Sequence, residues 1–197
     1  MSKTKTDLRF GYMLSEKELI DGCCKGSRAF QKALYERYCR KMMAVGLRYS
    51  KTIGEAEDIV QEGFIKVFQA IKEFRQESKL ETWITRIMVN TALNAQRKKL
   101  YLYPMVDVND VILPDQEMSI SGMHFAQLLE MIQALPQGCQ IVFNLFAIEG
   151  YSHKEIAETL GISEGTSKSQ FARAKTLLQA RLLKESTYYD RYGEAKI

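Results

Sequence analysis

The sequence predicts an all-α fold in which two small helical domains are joined by an acidic linker. Only 3 of the 197 residues are proline, and Ala, Leu, Glu, Lys and Gln, which favour helices, are abundant. Apolar residues recur at helical spacing over two long stretches. Between them, residues 101–121 contain two prolines and four acidic residues without a basic one. We therefore expect a flexible tail at 1–14, a first domain at 15–100, the linker at 101–121, a second domain at 122–185 and a tail at 186–197.

Two helices are predicted at the start of the first domain. The segment from Ser15 to Glu18 has the spacing of a capping box and opens a short helix that ends near Gly26. Ser27 can cap the second helix. The inward stripe of that helix comprises Phe30, Leu34, Tyr38, Met42, Val45 and Tyr49.

A third and a fourth helix complete this domain. A capping box from Thr52 to Glu55 precedes an apolar stripe, whose members are Ala56, Ile59, Val60, Phe64, Val67, Phe68 and Ile71. The opposite face carries Asp58, Gln61 and Glu62. After a polar loop at 74–77, the pattern from Ser78 to Glu81 predicts another capping box. The fourth helix then buries Trp83, Ile84, Ile87, Thr91 and Ala95, offers Arg86, Asn90 and Asn94 on its other side, and ends in Arg97, Lys98 and Lys99.

The second domain contains a predicted helix-turn-helix. It follows two helices with apolar positions at Phe125, Leu128, Leu129, Ile132 and Leu135, and at Ile141, Val142, Leu145, Phe146 and Ile148. A capping box from Ser152 to Glu155 opens a short helix, Gly161 suits the left-handed turn, and Ser163 caps a long helix. Inward positions of that helix are Phe171, Ala174, Leu177, Leu178 and Leu182. Residue types suited to a major groove face outward: Lys168, Ser169, Gln170, Ala172, Arg173 and Lys175.

Charge and composition restrict the class of protein. Residues 15–100 hold seventeen Lys and Arg against eleven Asp and Glu, which suggests a polyanionic partner. The four cysteines form no CxxC pair and only two histidines are present, so we expect reduced thiols, no metal site and no cofactor. Neither a signal peptide nor a membrane-spanning run is expected, which favours a cytoplasmic protein without membrane insertion. No motif of a known catalytic site occurs, so we do not expect an enzyme.

Each of these features also has a purely structural interpretation. Judged by its charge alone, the acidic face is an ordinary helix surface in contact with solvent. Trp83 is more often a core residue than a stacking platform. Helical hairpins with a glycine turn also occur as plain packing units.

Two sets of motifs nevertheless resemble one family. The segment Asp58 to Glu62, then Phe74 and Arg75, then Thr82 to Ile84 with Asn90 to Ala92, resembles region two of the extracytoplasmic-function (ECF) sigma factors of the sigma-70 family. The segments Ile156 to Glu158 and Leu160 to Thr166, with Lys168, Ser169, Arg173 and Ala174, resemble region four. The resemblance covers about residues 15–183.

This resemblance implies a bacterial RNA polymerase specificity subunit. Asp58, Ile59, Gln61 and Glu62 would bind the coiled coil of the polymerase beta-prime subunit, and the beta flap is a further implied contact. The minus-10 element, as an unpaired strand, would contact Phe74, Arg75, Ser78, Trp83, Arg86, Asn90, Asn94, Arg97, Lys98 and Lys99. The minus-35 duplex would contact Thr166, Lys168, Ser169, Gln170, Ala172, Arg173 and Lys175. An anti-sigma factor is a further expected partner.

The chain departs from the family pattern at three positions. Gln76 occupies a glycine position of the loop, Ser167 replaces an apolar residue, and Gln170 stands where arginine is common. These differences concern the promoter sequence that is read. A stand-alone helix-turn-helix regulator is the alternative function, and a nucleic-acid enzyme is a third one that no set of residues supports.

Overall fold

The computed structural model describes residues 14–100 and 125–192, with the side chains at 97–100, 125 and 184–192 left undescribed. Every regular element in these two ranges is helical. The chain divides into two compact units between Arg97 and Lys98. This agrees with the predicted all-α class and with its two helical domains. The predicted linker at 101–121 lies outside the described residues.

The first unit is a small helical bundle. Its helices are α1 (Glu16–Cys24), α2 (Arg28–Tyr49), α3 (Ile53–Ala70) and α4 (Leu80–Leu100), and a short 3₁₀ turn (Ile71–Glu73) follows α3. Helix α2 packs along α3, and α1 packs against α2 and the 3₁₀ turn.

The capping box predicted at Ser15 is complete, and the one predicted at Thr52 forms only in part. The Ser15 hydroxyl accepts from the Glu18 amide, and the Glu18 carboxylate accepts from the Ser15 amide at 2.7 Å. At α3, Thr52 Oγ1 accepts from the Glu55 amide at 3.2 Å, while Glu55 Oε2 accepts from the Lys51 amide at 3.0 Å. Ser27 occupies the predicted cap position of α2 but makes no side-chain cap bond.

The capping box predicted at Ser78 is wrong. Helix α4 begins at Leu80, and its first backbone bond runs from the Trp83 amide to the Lys79 carbonyl. The cap position therefore falls on Lys79, one residue later than expected. The Ser78 hydroxyl instead donates to the Lys79 carbonyl at 3.4 Å.

The core of the first unit is built from the predicted stripes. Their members are buried or half-buried, and α4 adds Met88, Val89 and Ala92, which the sequence analysis missed. The Met88 side chain of α4 packs on Gly63 of α3, where an added Cβ would lie 2.2 Å from Met88 Sδ. A larger residue at position 63 would therefore displace the Met88 thioether.

The second unit is also helical. Its elements are α5 (Phe125–Gln133), α6 (Gln137–Phe143), a π-helical turn (Asn144–Ile148), α7 (His153–Leu160) and α8 (Glu164–Tyr192). Its core contains Met131, Ile132, Leu135, Cys139, Phe143, Ala174 and Leu178. Helix α8 contacts α5, α6 and α7 and so forms the spine of this unit.

Two predicted inward positions of this unit are exposed. Ile148, at the end of the π turn, is 41% exposed, and Leu177 on α8 is 37% exposed. On α8 the buried apolar positions are Ala174 and Leu178, which are four residues apart. Leu177 therefore lies at the edge of that stripe. The π turn widens the helix at Asn144 and rotates Ile148 away from the core.

Candidate nucleic-acid and protein interfaces

The acidic face of α3 is exposed where the sequence predicts it. Asp58, Gln61 and Glu62 are all exposed and lie on one side of the helix at i, i+3 and i+4 spacing. Ile59, which the family resemblance places in the polymerase-binding set, is only 3% exposed. It points into the core because it shares the inward stripe with Ala56 and Val60. Its expected role as a contact residue is therefore wrong.

Glu62 of this face is linked to α4 through Lys66. Lys66 Nζ lies 2.6 Å from the Glu62 carboxylate and donates to Thr91 Oγ1 of α4 at 3.3 Å. The side chain of Glu62 remains 58% exposed. The same face continues with Ile65, which is 57% exposed and which the sequence analysis did not single out. The exposure of Ile65 could be predicted from the sequence, because this residue does not fit the spacing of the inward stripe.

An aromatic pair lies between the loop and α4. The rings of Phe74 and Trp83 are 5.0 Å apart between centroids and inclined by 37°. Both side chains are half-buried. Trp83 is thus neither a fully buried core residue nor a free platform, because its ring is partly covered by Phe74.

The polar loop before α4 contains a strained residue. Gln76 has a φ of 57°, in the left-handed region, and among the described residues it alone is a non-glycine residue with positive φ. The family pattern places a glycine here, and this backbone conformation gives the physical reason. Arg75 and Ser78, on either side, are exposed.

A cleft of about 430 Å³ lies between this loop and α1. From the loop, Phe74, Gln76, Glu77, Ser78 and Lys79 line it, and from α1 come Glu16, Lys17 and Ile20. The sequence predicts the loop as part of a site but gives no indication that α1 forms the second wall. No local pattern could have indicated it, because the two walls are more than fifty residues apart in the chain.

The outer side of α4 carries the expected polar groups. Arg86, Asn90 and Asn94 are all exposed and recur every four residues along one face. Arg97, Lys98 and Lys99 continue the same helix, and their side chains lie outside the described part of the chain. The structure thus brings three of the predicted residues onto one surface.

The helix-turn-helix forms with the predicted local geometry. Ser152 and Glu155 make a complete capping box, and Gly161 ends α7 in the left-handed conformation with φ of 68°. Ser163 Oγ then accepts from the Thr166 amide at 2.9 Å and opens α8. On α8, Lys168 and Ala172 are exposed, and Ser169, Arg173 and Lys175 are half-buried.

Two residues expected on the duplex-facing surface are instead buried. Gln170 is 5% exposed, and its Oε1 accepts from the Cys139 thiol of α6 at 3.1 Å. Thr166 is 7% exposed, and its hydroxyl lies 2.8 Å from Ser163 Oγ. Gln170 belongs to the packed side of α8 because it lies four residues before Ala174. Both residues therefore hold the unit together, and the outward orientation predicted for Gln170 is wrong.

An aromatic cluster supports the start of α8. The ring of His153 stacks on Phe146 of the π turn at 4.3 Å and lies 2.9 Å, through Nδ1, from Ser167 Oγ. Phe171 contacts both rings. Burial, followed by the charge of Lys168, lowers the pKa of His153, while Glu164 acts in the opposite direction. The neutral imidazole is thus the form that this packing favours.

In residues 14–100 and 125–192, no group of three or more His, Cys, Asp or Glu side chains could hold a metal ion. None of the described helices combines the length and the apolarity that crossing a bilayer requires.

Comparison with known proteins identifies the class. Residues 34–100 match the family described as Sigma-70 region 2, and residues 125–178 match Sigma-70, region 4. The ECF RNA polymerase sigma-E factor of Haemophilus influenzae is 29% identical over 183 residues, which cover 86% of this chain and 96% of the relative. The sigma-E factor of Escherichia coli K12 is 29% identical over 182 residues, covering 86% and 95%.

Two solved structures are matched at low sequence identity. CnrH in complex with the cytosolic domain of CnrY is 21% identical, with a TM-score of 0.46, covering 85% of this chain and 96% of that chain. The sigma factor RpoE in complex with the anti-sigma factor NepR from Bartonella quintana is 23% identical, with a TM-score of 0.48, covering 78% and 96%.

The two helical units and the order of the two matched regions define a sigma factor of RNA polymerase, and the chain belongs to the sigma-70 family. Within that family it is an ECF sigma factor. Sigma factors are transcription initiation factors without enzymatic activity. The resemblance inferred from the motifs is therefore confirmed.

Proposed function

We propose that this sigma factor binds core RNA polymerase through the first unit, directs it to specific promoters and promotes melting of the promoter DNA. The observation that carries the proposal is the separation of two kinds of surface. The first unit carries an exposed acidic face on α3 and a polar, aromatic-containing surface on α4, and the second unit carries a helix-turn-helix. Family membership supplies the polymerase as partner.

Docking on polymerase uses the acidic face of α3. Asp58, Gln61 and Glu62 present two carboxylates and an amide to solvent, and the family resemblance assigns this face to the beta-prime coiled coil. Exposed charges of this kind steer association and fix its orientation. Ile65 adds an apolar side chain to the same face.

The unpaired minus-10 strand lies along the loop and α4. The cleft beside residues 74–79 is large enough for a base taken out of the stack, and the Phe74–Trp83 pair offers aromatic surface. Asn90 and Asn94 offer amide groups to base edges, and Arg86 offers a charge to phosphates. Capture of unpaired bases favours the melted state, which is how this surface promotes opening.

The minus-35 duplex is read by the exposed side of α8. Lys168, Ser169, Ala172, Arg173 and Lys175 form this set once the buried Thr166 and Gln170 are removed. Arginine and lysine suit guanine edges or phosphates, while serine and alanine permit close approach to the groove.

Two further partners follow from the family resemblance. The beta flap of polymerase is a further contact, and an anti-sigma factor holds the protein inactive. No surface of the described chain is assigned to either partner.

The test of the proposal is a double variant of the α3 face. We expect Asp58→Ala with Glu62→Ala to weaken the binding of core RNA polymerase by about tenfold or more, since two steering charges are lost. Run-off transcription from a promoter library with purified core polymerase measures the accompanying loss of initiation. Circular dichroism checks that the helical content is retained.

The matched control removes two acidic charges elsewhere in the same unit. Asp21 and Glu73 are exposed and lie outside α3. Asp21→Ala with Glu73→Ala should keep the affinity of the wild-type chain. Equal affinity of both double variants, or tight binding of a palindromic duplex without polymerase, contradicts the proposal and favours a stand-alone regulator.

A further inference from the structure

We propose that Glu16 on α1 is a specificity-determining residue, which selects an unpaired base that carries an amino group where thymine carries a carbonyl. This inference rests on the proposed function, because it requires the separated minus-10 strand to lie beside the loop at 74–79. It adds a second wall to that site, formed by a helix that no motif placed there. Cytosine, adenine and guanine are the three bases of this description, since the Watson–Crick edge of an unpaired base is free.

The position of Glu16 in the cleft is fixed by a buried phenol. Tyr38 of α2 is 4% exposed, and its hydroxyl donates to Glu16 Oε1 at 3.2 Å. Burial, followed by the charge of Glu16 and the hydrogen bond to it, raises the pKa of Tyr38 to about 12. The phenol therefore remains protonated, and so a donor, well above neutral pH. Among the described residues, Glu16 Oε2 has no hydrogen-bond partner and is left to accept from a ligand.

The α1 wall is held in place at its beginning. The Arg37 guanidinium of α2 donates to the Leu14 carbonyl at 2.5 Å, and the Ser15–Glu18 capping box closes the first turn. Two side chains of α2 thus anchor the residues on either side of the cap, Leu14 and Glu16. A side chain on such a wall loses little conformational freedom when it binds, which strengthens discrimination.

The chemistry of the cleft distinguishes a base edge from a phosphate. An ionised carboxylate accepts hydrogen bonds and donates none. The amino group of cytosine, adenine or guanine donates to it. Thymine has no amino group, and its single N3–H donor is flanked by two carbonyl oxygens that the carboxylate repels. A phosphate is repelled by Glu16 and is instead suited to the exposed cations that line the same cleft, Lys17 and Lys79. Phe74 supplies the apolar lining for the face of the base.

The experiment uses the full chain bound to core RNA polymerase. Its probe is a pool of fork-junction DNAs in which every position of the unpaired non-template strand is randomised. Bound molecules are sequenced for the wild type, for Glu16→Gln and for Glu77→Gln. Glu77 is the matched control, because it lines the same cleft with the same charge but has no anchoring hydrogen bond to Tyr38.

We expect one strand position at which the wild type prefers a base with an amino group over thymine by about tenfold, the effect of one charge-assisted hydrogen bond. Glu16→Gln should reduce this preference to about twofold or less, because an amide can also donate to the thymine carbonyl. Glu77→Gln should leave it unchanged. Tyr38→Phe should weaken it without abolishing binding of the pool, since the carboxylate remains but is no longer held.

A second probe isolates the amino group itself. A fork junction with cytosine at the selected position is compared with one in which a cytosine analogue lacking the amino group replaces it. The analogue should bind the wild type about tenfold more weakly and should bind Glu16→Gln nearly as well as cytosine. Selection by the wild type that is identical in Glu16→Gln overturns the inference. Absence of any strand selection by the wild type overturns the proposed function itself.

Discussion

The backbone conformation of Gln76 explains why the family pattern places a glycine at this position. Its φ of 57° places a side chain in a region where Cβ meets the following carbonyl oxygen. The residue lies in the loop that lines the cleft, between the exposed Arg75 and the exposed Ser78. Strain at such a position persists only when the surrounding structure holds it.

We expect Gln76→Gly to stabilise the first unit. Relief of the left-handed conformation gains roughly 1–2 kcal/mol, and the greater freedom of glycine in the unfolded chain removes roughly 0.4–1 kcal/mol of this. The net gain in free energy of unfolding should be about 0.5 kcal/mol. Urea denaturation measures it, with Gln61→Gly in the middle of α3 as the control that should lose about 1 kcal/mol. A loss in both variants contradicts the assignment of strain.

His153 predicts a pH dependence for the second unit. Because its folded pKa lies below the ordinary value of about 6.5, the unfolded chain takes up the proton first as the pH falls. The stabilisation is therefore complete above about pH 6.5 and decreases as the pH falls toward the lowered pKa. Thermal unfolding between pH 7.5 and 5.5 measures this slope (about one His titration over this window).

The second histidine of the chain provides the control for this pH dependence. The slope should be absent in His153→Gln and retained in His124→Gln. Because the comparison concerns slopes, a uniform loss of stability in His153→Gln does not affect it. The same slope in all three proteins would show that other groups cause it.

At the scale of the helices, the sequence predicted what depends on local periodicity. The inward stripe of α3 and the cap and turn of α7 are as expected, since helical spacing and a glycine in a left-handed turn are local properties. The capping box at Ser78 failed locally, by one residue, whereas other failed predictions concern contacts between helices. The burial of Gln170 depends on Cys139 in α6, and the α1 wall of the cleft depends on how α1 packs.

The two sides of α8 should respond differently to substitution. Arg173→Ala should reduce the preference for particular minus-35 duplexes, by about tenfold in affinity for the preferred one, with little change in stability. Gln170→Ala should instead lower the free energy of unfolding of the second unit by about 2 kcal/mol, because it leaves a small cavity and removes a buried hydrogen bond. Duplex selection from a random pool and urea denaturation separate the two effects.

One result would contradict the assignment of one side of α8 to the duplex and the other to the core. If Gln170→Ala altered base preference at unchanged stability, its side chain would act on the duplex in spite of its burial. The assignment of the packed side of α8 would then be wrong.

For the whole molecule, the proposed function requires two DNA contacts that are joined by one polymerase. Each contact is small, and linking two weak contacts raises affinity by 10² to 10⁴ when both are engaged together. Without polymerase the promoter remains double-stranded. The surface that binds the unpaired strand then has no ligand. Polymerase is therefore the component that makes both contacts usable.

We expect promoter affinity to depend on both elements only when core polymerase is present. With polymerase, scrambling either the minus-10 or the minus-35 element of a selected promoter should weaken binding by at least about tenfold. With the chain alone, scrambling the minus-10 element of the intact duplex should have no effect. Fluorescence anisotropy at two salt concentrations measures this, and affinity should fall steeply with salt in both cases.

The division of the chain into two units between Arg97 and Lys98 affects how the unfolding experiments are interpreted. Since each half surrounds its own apolar interior, heat or urea can melt them in separate steps, and a single midpoint then describes neither. A substitution at Gln76 is visible only in one of these steps, and one at His153 or Gln170 only in the other. A probe that reports on one half, such as the fluorescence of Trp83 in the amino-terminal half, is therefore needed beside a global signal.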